Sequence, residues 1–248
     1  MIDIHCHLLP GIDDGPETLE QSLELARLAC ENGITHVVVT PHIHPRRYSN
    51  TRTSVFESFQ AFQHAVSESH LPLKLGFAGE VRLGIEVMPL VENGEVPFYG
   101  RLGDYQVMLL EFPHAFVPPG SDKLVRWLLD RKILPLIAHP ERNKDIMRKQ
   151  DKILPFLEMG CLLQLTAGSV AGNFGEPARE RAIGLLETGN VTLLASDAHN
   201  IKYRPPRLDH GRDAAAEIVG EELANKLVLE GPRTLVEQQF DDLAGASP

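Results

Sequence analysis

Two histidines one residue apart, His5-Cys6-His7, follow an apolar N-terminal run. Side chains two apart share a face in an extended chain, so both imidazoles can approach one cation while Cys6 points away. Asp197-Ala198-His199 repeats the spacing, as does His42-Ile43-His44 after a valine-rich run. The bland reading of a single histidine is a hydrogen-bonded core or surface residue, and the paired spacing of His5 and His7 favours metal ligation over it. Glu80 and Glu111 each end an apolar run, where a carboxylate is costly unless it is paired or ligates a cation. The alternatives there are a buried salt bridge, with Arg82 as partner, or a carboxylate bridging two metals. His139 follows Leu136-Ile137-Ala138 directly. The segment Pro10-Gly11-Ile12-Asp13-Asp14-Gly15-Pro16 has turn chemistry, and Asp14 is its candidate ligand. His44 runs into Pro45-Arg46-Arg47, a loop pattern, and takes no assignment. His5, His7, Asp14, His42, Glu80, Glu111, His139, Asp197 and His199 thus form a candidate set for two or three divalent ions. Nitrogen and oxygen ligands without thiolate suit Mn²⁺, Fe²⁺ or Zn²⁺.

Arg142 lies shortly after His139, and Arg204 shortly after His199. A guanidinium fork matches phosphate oxygens, so these two are candidate phosphate contacts, whereas Arg207 reads as surface charge. A thiolate-based phosphatase would place an arginine six residues after its cysteine. Six residues beyond Cys6, Cys30 and Cys161 stand Ile12, His36 and Ala167, so that chemistry is not supported.

The elements that must hold these groups alternate in type. Strands are expected at Met1–Ile4, His36–Thr40, Leu73–Ala78, Gln106–Leu110, Leu134–Ala138, Cys161–Leu165 and Val191–Ala195. Helices are expected at Thr18–Glu31, Val55–His70, Asp122–Lys132, Ile146–Met159, Pro177–Thr188 and Asp213–Glu230. Such alternation implies a mainly parallel sheet. Metal-type residues follow nearly every strand, and they converge only if the strand ends form a ring, which favours a barrel over an open sheet.

The chain has 248 residues, an ordinary length for one α/β barrel domain spanning 1–248, with a tail from about Leu243 expected to be disordered. A net charge of −10 argues against sequence-independent nucleic-acid binding. It leaves room for a small anion at a locally positive metal site. The three cysteines form no disulfide framework and suggest a reducing compartment. No signal-like start or bilayer-length apolar run stands out, so a cytoplasmic protein without direct membrane insertion is expected.

The series of motifs resembles the polymerase and histidinol phosphatase (PHP) superfamily. More closely, it resembles the bacterial protein-tyrosine phosphatases that act in capsule and exopolysaccharide regulation. The likeness runs from Met1–His7 and Asp13-Asp14-Gly15-Pro16 through Thr40-Pro41-His42, Tyr48 with Asn50, Gly79-Glu80-Val81-Arg82 and Leu110-Glu111-Phe112. It continues through His139-Pro140-Glu141-Arg142-Asn143, Gln164–Ser169, Ser196–Asn200 and Arg204-Pro205-Pro206. The resemblance implies a distorted seven-stranded (β/α) TIM-like barrel of PHP type with a trinuclear centre. One ion would take His5, His7, Glu80 and Asp197, a second Glu80, Glu111 and His139, and a third Asp14, His42 and His199. Arg142 and Arg204 would contact the phosphate, and with His199 they are the candidate catalytic groups. The implied partner is the phosphotyrosine-bearing tail of a membrane-associated bacterial tyrosine kinase.

The reaction then expected is direct, in-line hydrolysis of a phosphate monoester by metal-activated water, without a phosphoenzyme. Competing expectations are a histidinol phosphatase or another small-molecule phosphoesterase, and a non-catalytic metal-binding scaffold. An amidohydrolase would place a bridging lysine at the fourth strand end, where this chain has Glu111.

Overall fold

The computed structural model describes residues 1–244. In its first half the elements are β1 (Ile2–Cys6), α1 (Leu19–Glu31), β2 (His36–Val39), β3 (His42–Ile43), α2 (Arg52–Glu68), β4 (Lys74–Phe77), β5 (Glu80–Arg82), α3 (Val87–Glu92), β6 (Arg101–Leu102) and β7 (Tyr105–Glu111). Then come α4 (Ser121–Asp130), β8 (Ile133–Ala138), α5 (Lys144–Arg148), α6 (Leu154–Glu158), β9 (Leu162–Thr166), α7 (Ala167–Val170), α8 (Glu176–Glu187) and β10 (Leu193–Ala195). Three helices close the chain: α9 (Leu208–Val219), α10 (Glu221–Val228) and α11 (Glu230–Val236).

Two parallel sheets result, one ordered β1-β2-β4 and the other β10-β9-β8-β7-β5-β3, with β6 antiparallel to β7. The sheets share two chain paths, because β2 continues into β3 across Thr40-Pro41, and β4 into β5 across Ala78-Gly79. Ala78 N–H donates to Val39 O (2.9 Å) and Glu80 N–H to Pro41 O (3.1 Å), so the paths stay side by side through the crossing. At the far edge, Asp197 N–H donates to His5 O and His7 N–H to Ala198 O, each at 2.8 Å, tying the end of β1 to the segment after β10.

Strict alternation sorts the strand side chains into two cores. Val37, Val39, Met108, Leu110, Ile137 and Leu194 pack with helix residues such as Leu25, Phe59, Leu128 and Leu185. Val38, Val107, Leu109, Leu136, Ala138, Leu193 and Ala195 form the other cluster with Ile2 and Ile4, closed off by Leu235, Val236 and Phe240. Glu111 and Asp197 continue that second face by spacing of two. In β1 the register shifts between Asp3 and Cys6. That irregularity lets His5 and His7 follow Ile4 toward the site while Cys6 joins the helix-side core.

Several elements differ from the sequence expectations. Glu80 and His42 do not end long strands; each opens a short one, β5 and β3, beyond the crossing between sheets. The expected helix Ile146–Met159 is α5, a 3₁₀ turn (Gln150–Ile153) and α6. Asn143 caps α5 by accepting from Asp145 and Ile146 N–H, and Pro155 restarts the chain in the first turn of α6. The expected helix Asp213–Glu230 begins earlier and is α9, α10 and the start of α11, broken by Gly220 at φ 85°. Helix α2 starts at Arg52 because Thr51 and Ser54 cap each other's backbone. The tail expected to be disordered from Leu243 is ordered at its start: Leu243 packs on the second core and donates to Phe240 O (3.1 Å). The remaining positions, 245–248, lie outside the described residues. Among the described residues no helix is long and apolar enough to cross a membrane.

Candidate metal centre

The first ligand group comes from β1, β5 and the segment after β10. His5 Nε2 lies 3.4 Å from both Glu80 Oε2 and Asp197 Oδ1, and His7 Nε2 lies 3.3 and 3.4 Å from the same two atoms. The two Nε2 atoms are 3.4 Å apart. Ligands about 2.0–2.1 Å from a tetrahedral cation are separated by about 3.4 Å, so these spacings fit a cation cage. All four residues are at most 1% exposed, so gathering these charged and lone-pair groups is costly, and a cation among them would offset that cost.

His139 Nε2 approaches the other oxygen of the same carboxylate, Glu80 Oε1, at 2.9 Å. His5, His139 and Asp197 offer atoms within 4.8 Å of one another, as do His42, Glu80 and Glu111. Glu111 also accepts from Arg82 Nη1 (2.8 Å), so the salt bridge weighed from the sequence is present beside its place in a ligand group. A third group joins His7, Asp14, His42 and His199. Asp14 Oδ1 lies 3.2 Å from His42 Nε2 and 3.5 Å from His199 Nε2. Glu80 Oε2 and His199 Nε2 are buried without a hydrogen-bond partner, which suits atoms that face a cation. All nine sequence-predicted ligands therefore meet in one cluster.

The rings are aimed from behind. His5 Nδ1 donates to Gln164 Oε1 (2.8 Å), His7 Nδ1 to Asp13 Oδ2 (2.7 Å) and His199 Nδ1 to the Asp197 carbonyl (3.0 Å). With Nδ1 committed as donor, each Nε2 lone pair is left for the cation. From the sequence Asp14 is preferred to Asp13 as the ligand of that turn, and Gln164 stands among the polar residues of the strand ends without a role. For Asp13 a signal existed, since its carboxylate accepts from Gly15 N–H, the turn chemistry of that motif. His139 (φ 32°) and Asp197 (φ 53°) occupy the left-handed region, a strain that sequence does not announce.

Electrostatics agree. Burial alone would raise the Glu80 and Asp197 carboxyls, but the facing histidines, and for Asp197 Arg204 and Arg142, hold both well below the usual range. Burial, aided by His7, lowers His199 to about 4, so its imidazole stays neutral and free to ligate. His7 differs: burial opposes its protonation, yet Asp13 pulls its pKa well above the ordinary value, so a cation binding at Nε2 would have to displace a proton.

Asp197 joins two kinds of chemistry. Its Oδ1 faces His5 and His7, while Arg142 and Arg204 both donate to its Oδ2. Arg142 also lies 4.4 Å over the Phe174 ring. The cleft above encloses about 260 Å³, and Arg47, Arg82, Arg142 and Arg204 line it with His44, Tyr48 and His114. Tyr48 stacks on His42 at 5.5 Å and 5°. Arg207 points away and pairs with Asp209, as surface charge. Cys6 is fully buried, its thiol pushed well above its ordinary pKa by burial, and no cysteine lines the cleft.

The fold and this site define a class of protein: α/β enzymes that gather histidines and carboxylates at parallel strand ends beside a pair of arginines. The family model for capsular polysaccharide synthesis, CpsB/CapC, matches residues 1–237, and the chain belongs to that family. The tyrosine-protein phosphatase YwqE of Bacillus subtilis is 35% identical over 204 residues, 82% of this chain and 79% of YwqE. The tyrosine-protein phosphatase CpsB of Streptococcus pneumoniae is 28% identical over 245 residues, 97% of this chain and 100% of CpsB. A crystal structure from work on YwqE of Bacillus subtilis and CpsB of Streptococcus pneumoniae, described as unique metal-dependent tyrosine phosphatases, superposes with a TM-score of 0.88. Its identity is 32%, and the match covers 96% of this chain and 94% of that one. The tyrosine-phosphatase resemblance carried by the motifs is borne out by these matches.

Proposed function

We propose that this chain is a metal-dependent phosphotyrosine protein phosphatase that acts in capsule or exopolysaccharide synthesis. The observation that carries the reading is the two-sided Asp197, with a cage of nitrogen and oxygen ligands on one oxygen and two guanidinium groups on the other. A phosphate entering the cleft meets Arg142 and Arg204 at the rim of that cage. Two or three divalent ions, of Mn, Fe or Zn, are assigned to His5, His7, Asp14, His42, Glu80, Glu111, His139, Asp197 and His199. When bound, such ions supply a nucleophilic water near neutral pH and Lewis acidity for the phosphoryl oxygens.

The protein groups do the rest. Arg142 and Arg204 would leave Asp197 in part to hold the phosphoryl oxygens in line for attack and to neutralise charge that develops on them. His199, beside Asp14 and beneath the cleft, completes the catalytic set. A phenolate leaving group has a conjugate acid pKa of about 10 and needs less protonation than an alkoxide, which favours aryl phosphates.

We further assign β1, β2–β3, β4–β5, β7, β8, β9 and β10 to one distorted seven-stranded barrel of PHP type, forming a single domain. The bonds between β1 and Asp197–Ala198 support its closure. The partner proposed is the phosphotyrosine-bearing tail of a bacterial tyrosine kinase, and the place of action the cytoplasm, where three unpaired cysteines are at home.

Phosphate release from a tyrosine-phosphorylated peptide, from histidinol phosphate and from a small-molecule ester panel distinguishes the readings. The phosphopeptide should be the best substrate. Faster release from histidinol phosphate would instead favour a small-molecule phosphatase, and metal uptake without turnover on any ester would indicate a scaffold.

A further inference from the structure

Asp3 belongs to none of the ligand groups, yet its carboxylate is buried to 1% exposure beside them. It meets no Lys or Arg within salt-bridge distance among the described residues. Its bonds are instead three: Oδ1 accepts from Ser196 N–H (3.0 Å) and from His5 N–H (3.4 Å), and Oδ2 accepts from the Ser196 hydroxyl. The Ser196 oxygen in turn accepts from Ala198 N–H (3.1 Å). Between Ser196 and Ala198 sits Asp197, held at φ 53°. Its own N–H is tied to His5 O, and the Ala198 carbonyl to His7 N–H. Apart from the bond between His199 Nδ1 and the Asp197 carbonyl, the polar backbone links named in this turn end on β1, on His7 just after it, or on the Asp3–Ser196 pair.

A buried carboxylate with no Lys or Arg beside it is costly in a strand, and a left-handed backbone carries some strain at any residue but glycine. Both make sense if the turn must present one carboxylate in one orientation. We propose that Asp3 is a positioning residue: its buried carboxylate clamps the Ser196–Ala198 turn and so aims Asp197 at the cation cage and at Arg142 and Arg204 together. This rests on the function proposed above. Because one side chain serves both sides, loosening the clamp weakens cation binding and phosphate binding in parallel. A residue that merely filled space in the core would not link the two.

The test uses the full chain, stripped by chelation and titrated with Mn²⁺ alone, with Asp3→Asn and Ser196→Ala beside the parent. Each variant should bind its tightest Mn²⁺ about 10–100-fold more weakly. The double variant should lose less than the product of the two single losses, since the bond from the Ser196 hydroxyl to Asp3 is common to both. The inhibition constant of inorganic phosphate for the Mn²⁺-loaded enzyme should rise alongside, and the unfolding midpoint of the metal-free chain should stay near the parent's. Parent-like Mn²⁺ affinity in both variants overturns the proposal. So does an affinity loss in both that merely follows a lowered metal-free midpoint, or one that leaves phosphate inhibition untouched. If Asp3→Asn does not fold, Ser196→Ala decides by the same criteria. A parent chain that takes up no Mn²⁺ overturns the metal assignment itself, and this proposal with it.

Discussion

At the scale of single residues, Asp197 does the most. Its carboxylate has one oxygen facing two imidazoles and the other bonded to two guanidinium groups, and in the function proposed above this would set the spacing between cations and phosphate. Removing Arg142 should therefore leave metal content unchanged while kcat/KM for a phosphotyrosine peptide falls about 10²–10³-fold, the usual loss when one preorganised donor to a developing charge is deleted. Arg142→Lys should recover little, because a point charge cannot reproduce the fork over Phe174. Steady-state kinetics with metal analysis check both, and a turnover like the parent's in Arg142→Ala would remove Arg142 from the site. Cys6 makes the opposite case. Its thiol faces the helix-side core and is held protonated, so Cys6→Ser should keep turnover within about a few-fold, at some cost in packing. A folded but inactive Cys6→Ser protein would contradict that.

At the scale of elements, the C-terminal segment closes a gap that no strand fills among the described residues. Gln239 Oε1 accepts from Phe77 N–H (2.9 Å), and its Nε2 donates to Phe77 O (3.1 Å) and Tyr99 O (2.6 Å). Gln238 pairs in the same way with both backbone groups of Arg101. Two side-chain amides thus stand in for a strand between β4 and β6. Gln239→Ala should cost about 1–3 kcal/mol by leaving half-buried backbone groups unpaired, read as a lowered urea midpoint, and an unchanged midpoint would show that water replaces the amide freely. Helix α9 carries a pH-dependent element. Burial would raise the Asp209 carboxyl, but Arg207 and Asn32 bring it down to about 2 from 3.8. A depressed folded pKa means the stabilisation is present above 3.8 and lost as pH falls through about 2. Solvent screening keeps it under about 1 kcal/mol. The urea midpoints of parent and Asp209→Asn should differ near neutral pH and converge near pH 2, and a constant gap would refute the assignment.

The same scale shows what was legible beforehand. Short apolar runs such as Gln106–Leu110 and Leu134–Ala138 lie within β7 and β8, because strands buried on two cores read as unbroken apolar stretches. The brief strands carrying His42 and Glu80 were not separable, since two or three residues cannot display a period. Helical periodicity likewise ran through Gly220, where the real chain breaks. The ligand types were visible because imidazole and carboxylate after apolar runs are chemically conspicuous. The groups that aim them, Asp3, Asp13 and Gln164, look like ordinary strand or turn residues until the fold brings them into contact.

At the scale of the whole molecule, a chain with a net charge of −10 holds a cleft lined by four arginines above a nest of carboxylates and imidazoles. The acidic balance argues against nucleic acid as a partner, while a cleft lined by arginines suits a small anion. The central claim is that catalysis depends on cations held in that nest. Its most direct test is phosphate release from a tyrosine-phosphorylated peptide, measured with metal content, before chelation, after it, and after return of Mn²⁺, Fe²⁺ or Zn²⁺. Release should fall at least about 100-fold in stripped protein and recover with two or three ions bound per chain. Stripped protein that retains the starting rate would contradict the account.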